Sequence, residues 1–296
     1  MWPELERQLR FDPSQRGFAG GMKTGDLELG ARHLQGAKSV AIATGFYIPV
    51  AQAIENDGPL GAVFLARALL RAGKEVVLLV PEAGKLACEV SCQALALACP
   101  AVLMSTGLVG ETLVDELGCD TLVAIEYPGQ GSDQACRNMR GLDITSYVPL
   151  LDDAFNYAKR RGVFTVAVGD GGNELGCGGP TRMMALSPGR GSIAAATEAD
   201  VVLAAGVSNW GVYVLLAALS VLEGENLVPT ANEERELLEK LCAVGVVDGC
   251  SGLCQATVDG IDTPLLAQVV QGLHDFVAEH LVVQHRVAAT SLNLEE

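Results

Sequence analysis

The chain has 296 residues, 49% of them apolar and only 19% charged, which supplies a core large enough for one sizeable α/β domain. Lys and Arg number 20 against 36 Asp and Glu, a net charge of −16, and this excludes a basic surface built to hold nucleic acid or an anionic membrane. The same acidity either keeps the surface soluble or gathers around a cation.

Taken in chain order, the first stretch, MWPELERQLR, has no apolar leader core and carries Glu4 and Glu6, so no secretory or transit peptide is expected there. Residues 1–28 read as a helical extension ahead of the catalytic domain. Strands are expected at Ser39–Thr44, Glu75–Val80, Ala101–Met104, Thr121–Ile125, Phe164–Val168 and Val201–Ala204, each a short run rich in apolar and β-branched residues. Helical patterns fall at Pro59–Arg71, Lys85–Ala98, Leu151–Arg161, Val212–Leu222, Glu233–Ala243 and Pro264–His280. Strands apolar on both faces, alternating with helices, predict an α/β fold with a mostly parallel, doubly wound sheet and helices on both faces. One α/β catalytic domain is expected over residues 29–287, with a loose tail at 288–296. The most apolar stretch, Val201–Leu222, is broken by Ser208, Asn209, Trp210 and Gly211, so no transmembrane helix is expected.

Nine cysteines, an odd number in mostly apolar surroundings, suit a reducing compartment: the cytoplasm, or the mitochondrial matrix if the source is eukaryotic. Cys88/Cys92 and Cys250/Cys254 have CxxxC spacing, which is not a zinc knuckle, and no HxxxH accompanies them.

Ligands of an open parallel sheet bind outside the carboxyl ends of its strands. The unusual polar segments of this chain follow its strands at those ends: TGFYIP (44–49) and ENDGPLGA (55–62), IEYPG with Glu126, GDGGNELG (169–176) and GVSNWG (206–211). Their convergence on one edge predicts a site. In GDGGNELG the glycines allow close backbone approach, a following helix would offer free N–H groups to an anion, and Asp170 and Glu174 are hard oxygen ligands suited to manganese or magnesium. A purely structural reading makes Asp170 a turn former and Glu174 a first-turn acid on the helix dipole. Similarly, Glu55 and Asp57 are either a chelating pair or neighbours of a helix cap, with Asn56 or Asp57 capping the helix at Pro59. Glu126, directly after an apolar strand, needs a cation or an arginine, and Arg137 and Arg140 are near in sequence. SNWG reads as a turn with an aromatic plug or as hydrogen-bonding groups for a small polar substrate. Asp248 and Asp259 each precede glycine and read first as turns. A phosphate loop, a GxSxG elbow and a GxGxxG turn are all missing, which disfavours nucleotide binding and serine hydrolysis.

These segments, in this order, together with NMRGLDIT (138–145), VGVVDG (244–249) and TVDG (257–260), resemble the D-glutamate cyclase-like family from about Leu29 to Val277. The chain departs from the family pattern at Asn56, Leu60, Tyr127 and Cys177. The resemblance implies conversion of D-glutamate to 5-oxo-D-proline with loss of water; a manganese-dependent phosphatase and a non-catalytic binder of a small anionic metabolite are the alternatives. A divalent ion, manganese or magnesium, is expected on some of Glu55, Asp57, Glu126, Asp170 and Glu174, because a pocket of carboxylates admits an acidic metabolite only with a cation between them. Glu126, Asp170 and Glu174 are the expected catalytic acids. Thr44, Gly45, Asn138, Arg140, Asp143, Gly171, Gly172, Asn173, Ser208, Asn209 and Trp210 are the expected substrate contacts. No nucleic-acid or membrane partner is expected, and a homo-oligomer is left open.

Overall fold

The computed structural model describes residues 1–179 and 190–292. Six strands form one parallel sheet: β1 (Ser39–Thr44), β4 (Glu75–Pro81), β5 (Ala101–Met104), β7 (Thr121–Ile125), β9 (Phe164–Gly169) and β10 (Val201–Ala204), in spatial order β10-β9-β7-β1-β4-β5. The chain leaves β1 on one side through β4 and β5, then returns to the other side as β7, β9 and β10. The reversal lies between β1 and β7, where Thr44 is in register with Ile125, and a parting of this kind opens a crevice at the carboxyl ends. The expected α/β architecture is therefore observed. Two short pairs decorate that edge: an antiparallel hairpin of β2 (Tyr47–Ile48) with β3 (Ala53–Ile54), and a parallel pair of β6 (Gly107–Leu108) with β8 (Pro149–Leu150).

The helices are α1 (Trp2–Leu9), α2 (Asp26–Gly36), α3 (Pro59–Arg71), α4 (Lys85–Ala94), α5 (Thr112–Leu117), α6 (Asp152–Arg160), α7 (Ser208–Glu223), α8 (Ala231–Ala243) and α9 (Thr263–Leu292). α7 is buried on every face from Ser208 to Val221, as its all-round apolar sequence requires, and α1, α2, α3 and α9 pack against it. Five helices differ from their predicted bounds, two of them (α6 and α8) by no more than two residues at an end and three by more. α4 stops at Ala94 rather than Ala98, and Ala96 takes a left-handed φ of 51°. α9 runs past His280 because residues 281–292 contain neither Gly nor Pro. α7 starts four residues early, at Ser208, for a reason supplied by the site.

Within residues 1–28, Leu5, Leu9 and Phe18 are buried in the same core as the sheet. Among the described residues no helix is long and apolar enough to cross a membrane.

Candidate active site

Four strand ends deliver the polar groups to the crevice. Thr44 closes β1, Glu126 follows β7, Asp170 follows β9, and Ser208 begins the helix after β10. The strand pairs Thr44–Ile125, Ile125–Val168 and Gly169–Ala204 set these ends side by side. Glu126 has a left-handed φ of 41°, a strained state for a residue with a side chain, and at this point the backbone leaves the sheet. The turn beneath it requires Gly58: a Cβ there, at φ 94°, would stand 2.7 Å from Glu126 Cβ and 2.8 Å from Thr44 Oγ1.

The turn between β3 and α3 is locked to α7 by two reciprocal caps. Asp57 accepts hydrogen bonds from the backbone N–H groups of Ser208 (2.9 Å) and Asn209 (2.7 Å), the opening donors of α7. Asn209 Oδ1 in turn accepts from Gly58 (3.0 Å) and Gly61 (2.8 Å) at the start of α3, while its Nδ2 donates to the Asn56 carbonyl (3.1 Å). Each helix start thus finds its acceptor in the other's segment. SNWG is accordingly the first turn of a helix, and the cap at Pro59 comes from Asn209 more than from Asn56 or Asp57. Trp210 is buried among core side chains, stacked on Phe11 at 5.6 Å, so it is the aromatic plug.

The glycine turn after β9 also folds onto itself. Glu174 lays its carboxylate against the backbone, accepting from Gly171 (2.7 Å), Asp170 (3.3 Å) and Gly172 (2.8 Å). No helix begins at 170–179, so the expected helix-terminus anion site is replaced by a nest of N–H groups already filled by a side-chain carboxylate. Asn173 Nδ2 donates to the Arg137 carbonyl (2.8 Å) and ties this turn to the long 126–150 connection.

Two further residues complete the site: Arg16, which no sequence motif marks, and Asp259, which reads from the sequence as a turn residue. Arg16, 7% exposed, pairs through Nη1 with Asp170 and through Nη2 with Asp259 at 2.8 Å. Asp259 does lie in a turn, at φ 55°, but its side chain points into the crevice. Asn56 brings it there by bonding the loop on which it sits: its N–H reaches the Val247 carbonyl (2.9 Å) and its Nδ2 the Thr257 carbonyl (2.7 Å). Asp248 organises the same loop, accepting from Ser251 N (2.7 Å), Gly260 N (2.7 Å) and Thr257 Oγ1 (2.8 Å), and so is the turn residue expected.

Six carboxylates, those of Glu55, Asp57, Glu126, Asp170, Glu174 and Asp259, are thereby buried around one guanidinium. Burial raises the proton affinity of Glu55, Asp57, Glu126, Asp170 and Glu174 above the ordinary carboxylate range. Neighbouring acids add to it: Asp259 and Asp57 act on Glu55, and Glu174, Glu55 and Asp57 act on Glu126. Asp57 is pushed up to about 7, by burial first and then by Asp259, with the α7 N–H groups acting against the shift. Ser208 Oγ donates to Glu126 Oε2 at 2.6 Å and fixes that carboxylate. The arginines near Glu126 in sequence do not serve it: Arg137 pairs with Asp133 (2.6 Å), and Arg140 donates to the Cys250 carbonyl (2.9 Å).

A cavity of about 210 Å³ opens onto this cluster, lined by Arg16, Glu55, Glu126 and Asp259 together with Asn138 and the exposed Arg140. Asn138 Oδ1 is engaged by the N–H groups of Arg140 and Leu142 (3.0 Å each). Asp143 is exposed and bonded to Thr145 in its own loop. Gly45, at φ 120°, packs against Pro81, and the Thr44 hydroxyl is buried without a partner among the described residues. Tyr127 buries its ring and donates to the Pro149 carbonyl (2.8 Å).

The family described as D-glutamate cyclase-like, C-terminal, matches residues 5–274. The chain belongs to that family. It is also 31% identical over 299 aligned positions to the human protein named D-glutamate cyclase, mitochondrial, an alignment that covers 87% of this chain and 48% of the relative. The chain thus spans about half the length of that relative. The match begins at residue 5, consistent with an N-terminal segment that carries Arg16 into the cluster.

The donor set fits a hard divalent cation. Ligand oxygens of Glu126, Asp170 and Glu174 lie within 4.8 Å of one another, as do those of Asp57, Asp170 and Asp259. Asp170 Oδ2 and Asp259 Oδ2 are buried and unpartnered among the described residues, which is the condition an ion relieves. Arg16 pairs with two members of the second group, Asp170 and Asp259, but with only Asp170 of the first; Glu126 and Glu174 have no arginine or lysine partner among the described residues, so the first group is the better seat.

Proposed function

We propose that this chain cyclises D-glutamate to 5-oxo-D-proline with loss of water, with a divalent cation held by Glu126, Asp170 and Glu174. The observation that carries the reading is an Asp170 carboxylate oxygen without a partner among the described residues, buried in a carboxylate cluster that faces a cavity of small-metabolite size. The name of the human relative supports the same substrate. When bound, manganese or magnesium would act as a Lewis acid on the γ-carboxylate, which is otherwise a poor electrophile.

The remaining chemistry belongs to side chains. In the net reaction the α-nitrogen bonds to the carboxyl carbon of the γ-carboxylate, one C–O bond of that carboxylate breaks, and the two protons lost by the ammonium leave with that oxygen as water. Glu55 is the carboxylate suited to carry the proton: it lines the cavity, is buried, and stands outside both ligand groups. Its raised proton affinity brings it closer to that of an ammonium, which favours transfer to Glu55 and then onward to the departing oxygen. Ser208 holds Glu126 in one orientation, and the cavity walls keep the substrate folded for five-membered ring closure. The phosphatase alternative depends on the glycine turn as a phosphate cradle, and Glu174 occupies those N–H groups. We place the reaction in a reducing compartment, cytoplasm or mitochondrial matrix, consistent with nine free cysteines.

The test is a chiral assay of 5-oxoproline with D-glutamate, L-glutamate and a panel of phosphate esters, each with manganese and with chelator. D-glutamate is expected to be consumed with the metal and spared with the chelator, and L-glutamate to react much more slowly. Hydrolysis of phosphate esters alone, or turnover that ignores the chelator, would defeat this reading.

A further inference from the structure

An acidic substrate of this site brings two carboxylates, and a cation on Glu126, Asp170 and Glu174 accounts for only one of them. The groups that sequence reasoning offers for the second are committed elsewhere. Asn209 caps α3, Ser208 Oγ bonds Glu126 and the glycine-turn N–H groups hold Glu174, while Asn138, its Oδ1 engaged by its own loop, offers a neutral amide rather than a charge. Arg140 lines the cavity and gives one N–H to the Cys250 carbonyl, but it is exposed, so solvent screens its charge. A carboxylate entering among six buried acids still needs a positive partner.

Arg16 is that partner by position and by valence. It is buried and lines the cavity beside Glu55, Glu126 and Asp259. Its described contacts are Asp170 on Nη1, and Asp259 and Cys250 Sγ (3.7 Å) on Nη2. They engage three of the five N–H donors that a guanidinium carries. Desolvation opposes its charge, but Asp170 and Asp259 more than offset that and hold it protonated. The peptide that carries it is anchored: Phe11 stacks on Trp210, Asp12 accepts from Gly17 N (2.8 Å), and a Cβ at Gly206 would fall on the Phe11 carbonyl. Gly206 therefore admits the strap that delivers Arg16, and Asp170 and Asp259 hold the guanidinium.

We infer that Arg16 is the receptor for the substrate's second carboxylate, the α-carboxylate of a glutamate-like dicarboxylate, with Asp259 as its positioning residue. The inference rests on the cation-assisted cyclase reading. It predicts that the site selects dicarboxylates over their monoamides through Arg16, since an arginine–carboxylate pair is bidentate and charge-assisted while an amide offers only a neutral acceptor.

Calorimetry in manganese with glutarate, a dicarboxylate that lacks the amine and cannot cyclise, and with its monoamide reads this selection directly. The wild type should bind glutarate roughly 10–100-fold more tightly than the monoamide, the span of one or two charge-assisted hydrogen bonds. Arg16→Gln should bind the two ligands equally, with the heat of manganese binding retained. Arg16→Lys keeps the charge, so it carries the test if the glutamine variant does not fold, and should lose most of the selection because an ammonium cannot span two aspartates and a ligand. Selection intact in the folded variants, equal weakening of both ligands, or a wild type that binds neither would overturn the inference. D-glutamate turnover is measured alongside: selection without turnover sinks the cyclase reading alone, and turnover without selection sinks the role of Arg16 alone.

Discussion

Asp57 and Asp170 sit in one crevice, each in a glycine-containing turn just beyond the sheet, and their ligand oxygens fall in one group within 4.8 Å. Their environments are nonetheless opposite. Both oxygens of Asp57 receive backbone N–H groups from α7, whereas Asp170 has Arg16 on one oxygen and nothing on the other among the described residues. The same residue type at the same edge therefore builds the scaffold in one turn and is kept available for a ligand in the other. What separates the roles is whether the carboxylate's hydrogen-bonding capacity is consumed by the fold.

The largest stability effect should come from the scaffold side. Asp57→Ala leaves the first N–H groups of α7 without acceptors in a dry setting and should cost about 2–4 kcal/mol. Denaturant unfolding checks it; a loss comparable to that of Asp170→Asn would erase the distinction between the two turns. A smaller effect is expected from a third kind of acid, one that neither caps a helix nor faces the cavity. Glu234 on α8 is buried, its Oε1 has no partner among the described residues, and burial raises it to about 7. Because its folded pKa lies above its unfolded one, the folded state binds the extra proton between them, and stability falls as pH rises through that window. Glu234→Gln should therefore stabilise the protein at pH 8 by about 1 kcal/mol and leave it nearly unchanged at pH 4. Thermal melts at the two pH values, with and without manganese, decide this, and a gain that depends on manganese would tie Glu234 to the site after all.

Much of this architecture was legible in the sequence, because strands covered on both faces leave uninterrupted apolar runs and their polar successors then mark one edge of the sheet. The bounds of α3, Pro59–Arg71, coincide with the predicted ones, since Pro59 at its start is a local signal. The start of α7 was not legible, because its cap, Asp57, lies 151 residues away from Ser208. Glu174 carried a local signal, an acid four residues past Asp170, but an acid on a helix dipole and an acid filling its own turn look alike without coordinates. Arg16 had no motif around it, and Asp259 looked like any Asp-Gly turn. Their pairing exists only because the Asn56-tethered loop and the N-terminal strap meet in space.

The most direct test of the account is the binding of manganese to chelator-treated wild type and to Asp170→Asn, followed by calorimetry. The account predicts a saturable heat for the wild type and none for the variant, which should remain folded and melt at or above the wild-type temperature because one buried negative charge has gone. Undiminished manganese binding by Asp170→Asn would contradict it and leave Asp170 a turn residue held by Arg16.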